Sequence, residues 1–220
     1  MSENINLREL ERKAWRSVFE DGLYDIFLGL LLLHMGFVYY LSRIETTFLG
    51  RTSLNLGIYL VLYLGLWVGK HFITLPRIGR VKFGKRRKSR LRTVTVITFL
   101  VVLLTFSLTL AGIAFKNQPD GSMEWSLLAP ILLGTWFVLF FGLAGYFLEY
   151  HRLYLVGVLY ALPEIVMTYS NELLGINPGY LAWLLPASLI LIIGAIHLAR
   201  FVRDHPVPQI PNSELNDEAG

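Results

Sequence analysis

EDGLYDIFLGLLLL, residues 20–33, places three carboxylates directly in front of a long apolar run. The run continues to about residue 42, close to the roughly twenty residues a helix needs to cross about 30 Å of hydrocarbon. Further runs of spanning length follow at about 54–71, 93–115, 127–148, 152–171 and 180–202. No period-two strand pattern competes over these stretches. The sequence therefore predicts an all-α polytopic membrane bundle of six transmembrane helices, the first over 23–42.

Composition agrees. Of 220 residues, 54% are hydrophobic and 16% charged, against about 25% charged in an ordinary soluble domain. The charges are clumped between the apolar runs. A net charge of +4 raises the question of nucleic acid, but hydropathy assigns the basic residues to topology and anionic lipid instead. There is no cysteine, so disulfides, thiolate chemistry and cysteine metal sites are excluded. The first apolar run is too long for a signal-peptide core and no small-residue cleavage site follows it, so no cleaved leader is expected.

Three regions follow. Residues 1–22 carry Leu7, Leu10, Ala14 and Val18 at helical spacing, with Arg8, Arg12, Lys13 and Arg16 largely elsewhere, which predicts a cytoplasmic amphipathic helix on the membrane surface. Residues 23–202 form the six-helix domain. Residues 203–220, rich in proline and acids, are expected to be a disordered cytoplasmic tail. Counting Lys and Arg along the alternating connections puts 17 on one side and 3 on the other. By the positive-inside rule both termini are cytoplasmic, and the chain is a multi-pass protein of the inner cell membrane.

The second loop, LPRIGRVKFGKRRKSRLR, has two halves. Lys85, Arg86, Arg87, Lys88 and Arg90 form a polybasic run that can meet anionic lipid at about 1 kcal/mol per charge. Before it, Pro76 and Gly79 predict an ordered turn or short extended piece.

The polar residues inside the spans need a physical reason. Asp21, Asp25, Gly29, Leu32 and Gly36 fall in one stripe at about 100° per residue. Glycines so placed let another backbone approach closely, so this stripe faces the bundle. An inward Asp25 needs a partner, and Arg77, Arg80 and Arg152 are the best candidates. The acids read as a clamp tying the start of the first helix to the basic second loop. Glu164 lies about twelve residues into the fifth helix, near mid-membrane at 1.5 Å per residue. Thr168 and Asn171 share its face, and Pro163 frees the carbonyl of Leu159. An ionisable group at that depth marks a functional site by default. His34 lies at similar depth and would pair with Glu164 if the first and fifth helices touch on that side. No second ligand stands beside it at metal spacing, so neither a metal nor a cofactor is expected.

Phosphate loops and hydrolase or zinc-protease motifs are missing, and no nucleophile has a base beside it, so catalysis is not indicated. DGLYDIFLGLLLL and PRIGRVKFG together resemble paired signatures, DGxxDIxxGxxLL and PRxGxVKF, of an uncharacterised family of prokaryotic multi-pass membrane proteins. The resemblance carries no activity. It implies that Asp21, Asp25 and the Arg77–Phe83 loop belong to one module.

The leading function class is small-molecule or ion binding and transport around an intramembrane carboxylate. The rival is a scaffold or regulator that recruits partners or anionic lipid through the basic loop. An intramembrane lipid-modifying enzyme using the Glu149–Arg152 cluster is third. A homo-oligomer would thicken so thin a bundle. A reporter active only in the cytoplasm, fused to either terminus, is expected to be active. Activity of an externally reporting fusion at either end would refute the orientation.

Overall fold

The computed structural model describes residues 19–41, 47–78, 89, 92–100, 103 and 122–206. Every regular element among them is helical. Helix α1 is Leu23–Leu41 and α2 is Phe48–Gly69. A π-helical stretch, Lys70–Thr74, then leads without a break into a short α3, Leu75–Ile78. Helices α4 (Ser122–Leu148), α5 (Arg152–Leu174) and α6 (Leu181–Asp204) complete the set. Five stretches are long and apolar enough to cross a membrane: Leu23–Leu41, Leu49–Ile78, Pro130–Leu148, Arg152–Leu174 and Leu181–Asp204.

Residues 92–100 are helical too, at the start of the expected third span. Most of the rest of that span lies outside the described residues, as do positions 1–18 of the amphipathic segment, Arg80, the polybasic run and the chain beyond 206.

The helix ends differ from expectation where local chemistry extends them. Helix α2 starts at Phe48, not near 54, because Thr47 caps it: its hydroxyl accepts the Gly50 N–H at 3.2 Å. Helix α5 runs on to Leu174 and stops at Gly175, whose φ of 64° suits glycine. Pro76 does not make a turn. In the π stretch Leu75 N–H bonds back to Lys70 O, and the helix continues through Pro76, which supplies no N–H of its own, to Ile78. Of the segment expected to be an ordered turn or extended piece, the part up to Ile78 is helical, and Gly79 to Phe83 lie outside the described residues.

The helices pack mainly as two pairs, α1 with α6 and α4 with α5, with α5 touching α6 and α2 touching α1 over smaller areas. Small residues set both main contacts. A Cβ on Gly29 would come within 2.8 Å of Leu191, one on Gly36 within 2.6 Å of Trp183, and one on Gly194 within 2.8 Å of Ile26. Between α4 and α5, a Cβ on Gly157 would meet Phe141 at 3.0 Å. Leu32, Ala187 and Ile190 are almost fully buried at the α1–α6 seam. The pairs are joined where the Tyr160 hydroxyl donates to Leu28 O at 2.6 Å and Trp183 Nε1 meets Met167 Sδ at 3.3 Å. Helix α2 has no buried residue in its apolar window; its outward leucines and aromatics match a hydrocarbon solvent.

Gly194→Ala should therefore destabilise the protein by about 1–3 kcal/mol, the usual cost of overpacking. Gly57, with no described atom within 4 Å of a Cβ, should tolerate alanine or gain up to about 1 kcal/mol from helix propensity. Thermal unfolding of the purified protein in detergent checks both; equal effects would contradict the α1–α6 packing.

Candidate functional site

Two polar features stand out, one at an end of the bundle and one inside it. The first is built on the acids before α1. Asp21 is completely buried. Its Oδ1 accepts the Leu23 N–H at 3.1 Å, which caps the helix. Its Oδ2 accepts Lys70 Nζ at 2.6 Å and Thr74 Oγ1 at 2.5 Å. Lys70 and Thr74 stand four residues apart, so both reach the same carboxylate. The Lys70 ammonium also lies 4.3 Å from the centre of the Tyr24 ring.

Asp25, 1% exposed, takes the hydroxyl of Tyr150 and Nη1 of Arg152. Arg152 Nη2 donates to Phe19 O at 2.7 Å, and its guanidinium lies 5.0 Å from the Tyr150 ring centre. Tyr150 stacks on Phe19 at 5.4 Å. The tight turn between α4 and α5 aims these groups: Tyr150 N–H bonds to Gly145 O at 2.9 Å, and Glu149 takes a φ of 57°. Burial first, and then the charge of Asp25, push the Tyr150 hydroxyl above its ordinary range, so it stays protonated and remains a donor. Each carboxylate thus has at least two donors, which is what makes a buried charge tolerable.

Asp21, Asp25 and Arg152 therefore meet at one end of the bundle. Arg77 does not join them; its Nη1 donates to Ile73 O at 2.8 Å, within its own helix. Arg80 lies outside the described residues. The acids are tied to the π-helical stretch that follows α2 and to the α4–α5 turn, through Lys70, Thr74, Tyr150 and Arg152. Neither Lys70 nor Thr74 is among the partners that the sequence suggests for these acids. Their spacing of four at the end of a span was the available signal. Tyr150 lies within the Glu149–Arg152 cluster, but nothing in the sequence marks it as a partner of Asp25.

The second feature is a cavity of about 630 Å³ walled by α1, α2 and α6. His34, Phe37, Ile58, Leu62, Tyr180 and Trp183 are among its lining residues. His34 is 4% exposed, and neither ring nitrogen has a hydrogen-bond partner. The Tyr59 ring meets it edge-on at 4.8 Å. Glu164 is elsewhere: it is half-buried on α5, away from the cavity wall. Thr168 is half-buried and Asn171 exposed on the same helix. The structure thus does not bring His34 to Glu164. Among the described residues no three His, Asp or Glu side chains stand together as a metal site would require.

The chain matches no protein-family model, no curated protein and no solved structure.

Chemically, the buried acids hold helices together, whereas the cavity offers room between apolar and aromatic walls. Asp25→Asn and Arg152→Met should each destabilise by about 3 kcal/mol, the low end for breaking a buried pair, because Arg152 is partly exposed. The double variant should lose clearly less than the sum. A double-mutant cycle on unfolding midpoints tests this; strict additivity would show that the pair carries no coupling.

Proposed function

We propose that this is a multi-pass protein of the inner cell membrane, with both termini cytoplasmic, that binds a small molecule inside the bilayer as transporter-like proteins do. The observation that carries the reading is the cavity: about 630 Å³ lies within the ~300–1,000 Å³ of small-molecule sites. Its walls are mainly apolar and aromatic, as such sites are built. A bare cation instead wants several oxygen ligands, and no carboxylate stands on this wall among the described residues. That favours a small molecule over an ion.

The six-span topology has two supports. The charge bias is 17 against 3. The described ends accord with it: the helix of α2 reaches the Asp21 end through Lys70 and Thr74, and α4 finishes there as well, beside Tyr150. Helix α4, with 27 residues, reaches about 40 Å at 1.5 Å per residue, so it starts at the opposite end. In this reading Glu164, with no hydrogen-bond partner among the described residues, serves as the polar group for a coupled ion. The run from Lys85 to Arg90 meets anionic lipid on the cytoplasmic leaflet.

The test is a thermal-stability screen of the full chain in detergent against lipophilic small molecules, run in parallel on Leu62→Trp, which fills the cavity. A ligand at about a hundred times its Kd should stabilise the wild type by ~2.7 kcal/mol and leave the filled variant unchanged. If no compound separates the two proteins, the reading is wrong.

A further inference from the structure

Glu164 is a carboxyl group set deep in a spanning helix without a partner among the described residues. The inference drawn from it rests on the reading of Glu164 as the coupled-ion group, and it names the ion. Three observations carry it. The first is position. In α5, Arg152–Leu174, Glu164 stands about 18 Å from one end and about 15 Å from the other at 1.5 Å per residue.

The second is the lack of a counter-charge. Asp25, near the start of α1, is met by Tyr150 and Arg152. No charged group among the described residues acts on Glu164 in this way. The Lys and Arg side chains of the described spans stand at or near their ends, among them Arg51, Lys70, Arg152, Arg200 and Arg203. The apolar run 93–115, most of it outside the described residues, contains no Lys, Arg or His. Of the histidines inside the spans, His34 meets Tyr59 on the α2 side, and His197 bonds back to Ile193 O near the Asp25 end. A bare carboxylate out of water costs several kcal/mol, and nothing here offsets it. The group therefore carries its own proton.

The third is that its neighbours cannot cage a metal cation. Tyr160, one turn before, commits its hydroxyl to Leu28 O at 2.6 Å, and its ring packs on Phe137 of α4 at 5.6 Å. Met167 takes the Trp183 N–H of α6. From α4, Gly134 faces Ala161 and Ile165. Thr168 adds a single hydroxyl. A dehydrated Na+ or K+ needs a ring of oxygens in place of its water, whereas a proton needs one. A purely structural buried acid is hydrogen-bonded; an unpaired one at this depth marks an ion path.

We propose that Glu164 is a proton-binding site: a neutral carboxylic acid within the bilayer that exchanges its proton, so that the coupled ion is H+ and not Na+ or K+.

The experiment is infrared spectroscopy of the full chain in nanodiscs of ether-linked lipid, which has no ester carbonyl to mask the signal. Wild type is compared with Glu164→Gln at neutral pH. The expected result is a protonated-carboxyl band in wild type that is lost in Glu164→Gln and shifts when heavy water replaces water. Absence of the band means an ionised Glu164, and the proposal fails. A band that heavy water does not move belongs to a fixed structural acid, and the proposal fails equally. A second measurement needs only wild type, in case the variant does not fold. Lipid-soluble dicyclohexylcarbodiimide takes the acid proton on one nitrogen, the carboxyl oxygen adds to its central carbon, and the acyl group then shifts to nitrogen as a stable N-acylurea. Mass spectrometry of the Glu164 peptide should show equal labelling in sodium, potassium and choline salts. Saturable protection by Na+ or K+ would make the ion a metal cation and overturn the assignment. Leu62→Trp should leave both readouts at wild-type level, because the cavity lies on other helices. A failed proton assignment thus leaves ligand binding in the cavity standing. A failed ligand screen beside an exchanging band removes the coupling and keeps the proton site.

Discussion

A carboxylate kept almost completely from solvent must be paid for by donors, and Asp25 recruits them from across the chain. Tyr150 and Arg152 reach it from the α4–α5 turn, 125 and 127 residues away in sequence. One turn earlier Asp21 does the same with Lys70 and Thr74 in the π-helical stretch that follows α2. Losing either acid would strand a cation or a hydroxyl in a low-dielectric setting, so the penalty falls on several helices at once. Tyr150 is held as a donor by the same burial that makes its own ionisation unfavourable. These bonds fix the helices at one end of the bundle, and the rest of the packing is arranged from there.

Small residues do the work along the seam above the acids. Gly22 combines a φ of 75° with a position where a Cβ would lie 2.3 Å from Gly194 O, so two backbones touch where α1 begins. Gly29 and Gly36 continue that approach along α6. Close contact of this kind is how helices adhere when the surrounding solvent is as apolar as their side chains. Helix α2 is held differently. It is tied to α1 where Lys70 meets Asp21 and where a Cβ on Gly69 would lie 3.1 Å from Leu23. Farther along, neither Gly57 nor Gly65 receives a described neighbour within 4 Å. An anchor at one end without a small-residue seam beyond it leaves space between α1, α2 and α6, and that space is the cavity holding His34.

The two intramembrane polar residues that looked alike in sequence have different settings. Glu164 and His34 lie at similar depth, but their helices present them to different neighbours. His34 turns towards α2 and Tyr59, whereas Glu164 stays on α5 away from the cavity wall. Depth is a count of residues and can be read directly. Which neighbour fills the space opposite depends on how the helices cross.

The sequence by itself determined the class of the molecule. Apolar runs of membrane-spanning length, acids bunched before the first of them, and glycines at helical spacing behind those acids are local properties, and local periodicity is enough to read them. It also identified the inward stripe of α1 and one true partner of Asp25, Arg152, because a buried carboxylate needs a cation and few were near. The tertiary structure alone decided the other partners. Lys70 took the place expected of the loop arginines because a π turn carries the helix past it and through Pro76 to Ile78, leaving Arg77 to bond within its own helix. Tyr150 entered because the α4–α5 turn points it inward. The cavity and its unpaired His34 arose from a mismatch between one tight helix pair and one loosely tied helix, a relation between distant segments that no single stretch of sequence contains.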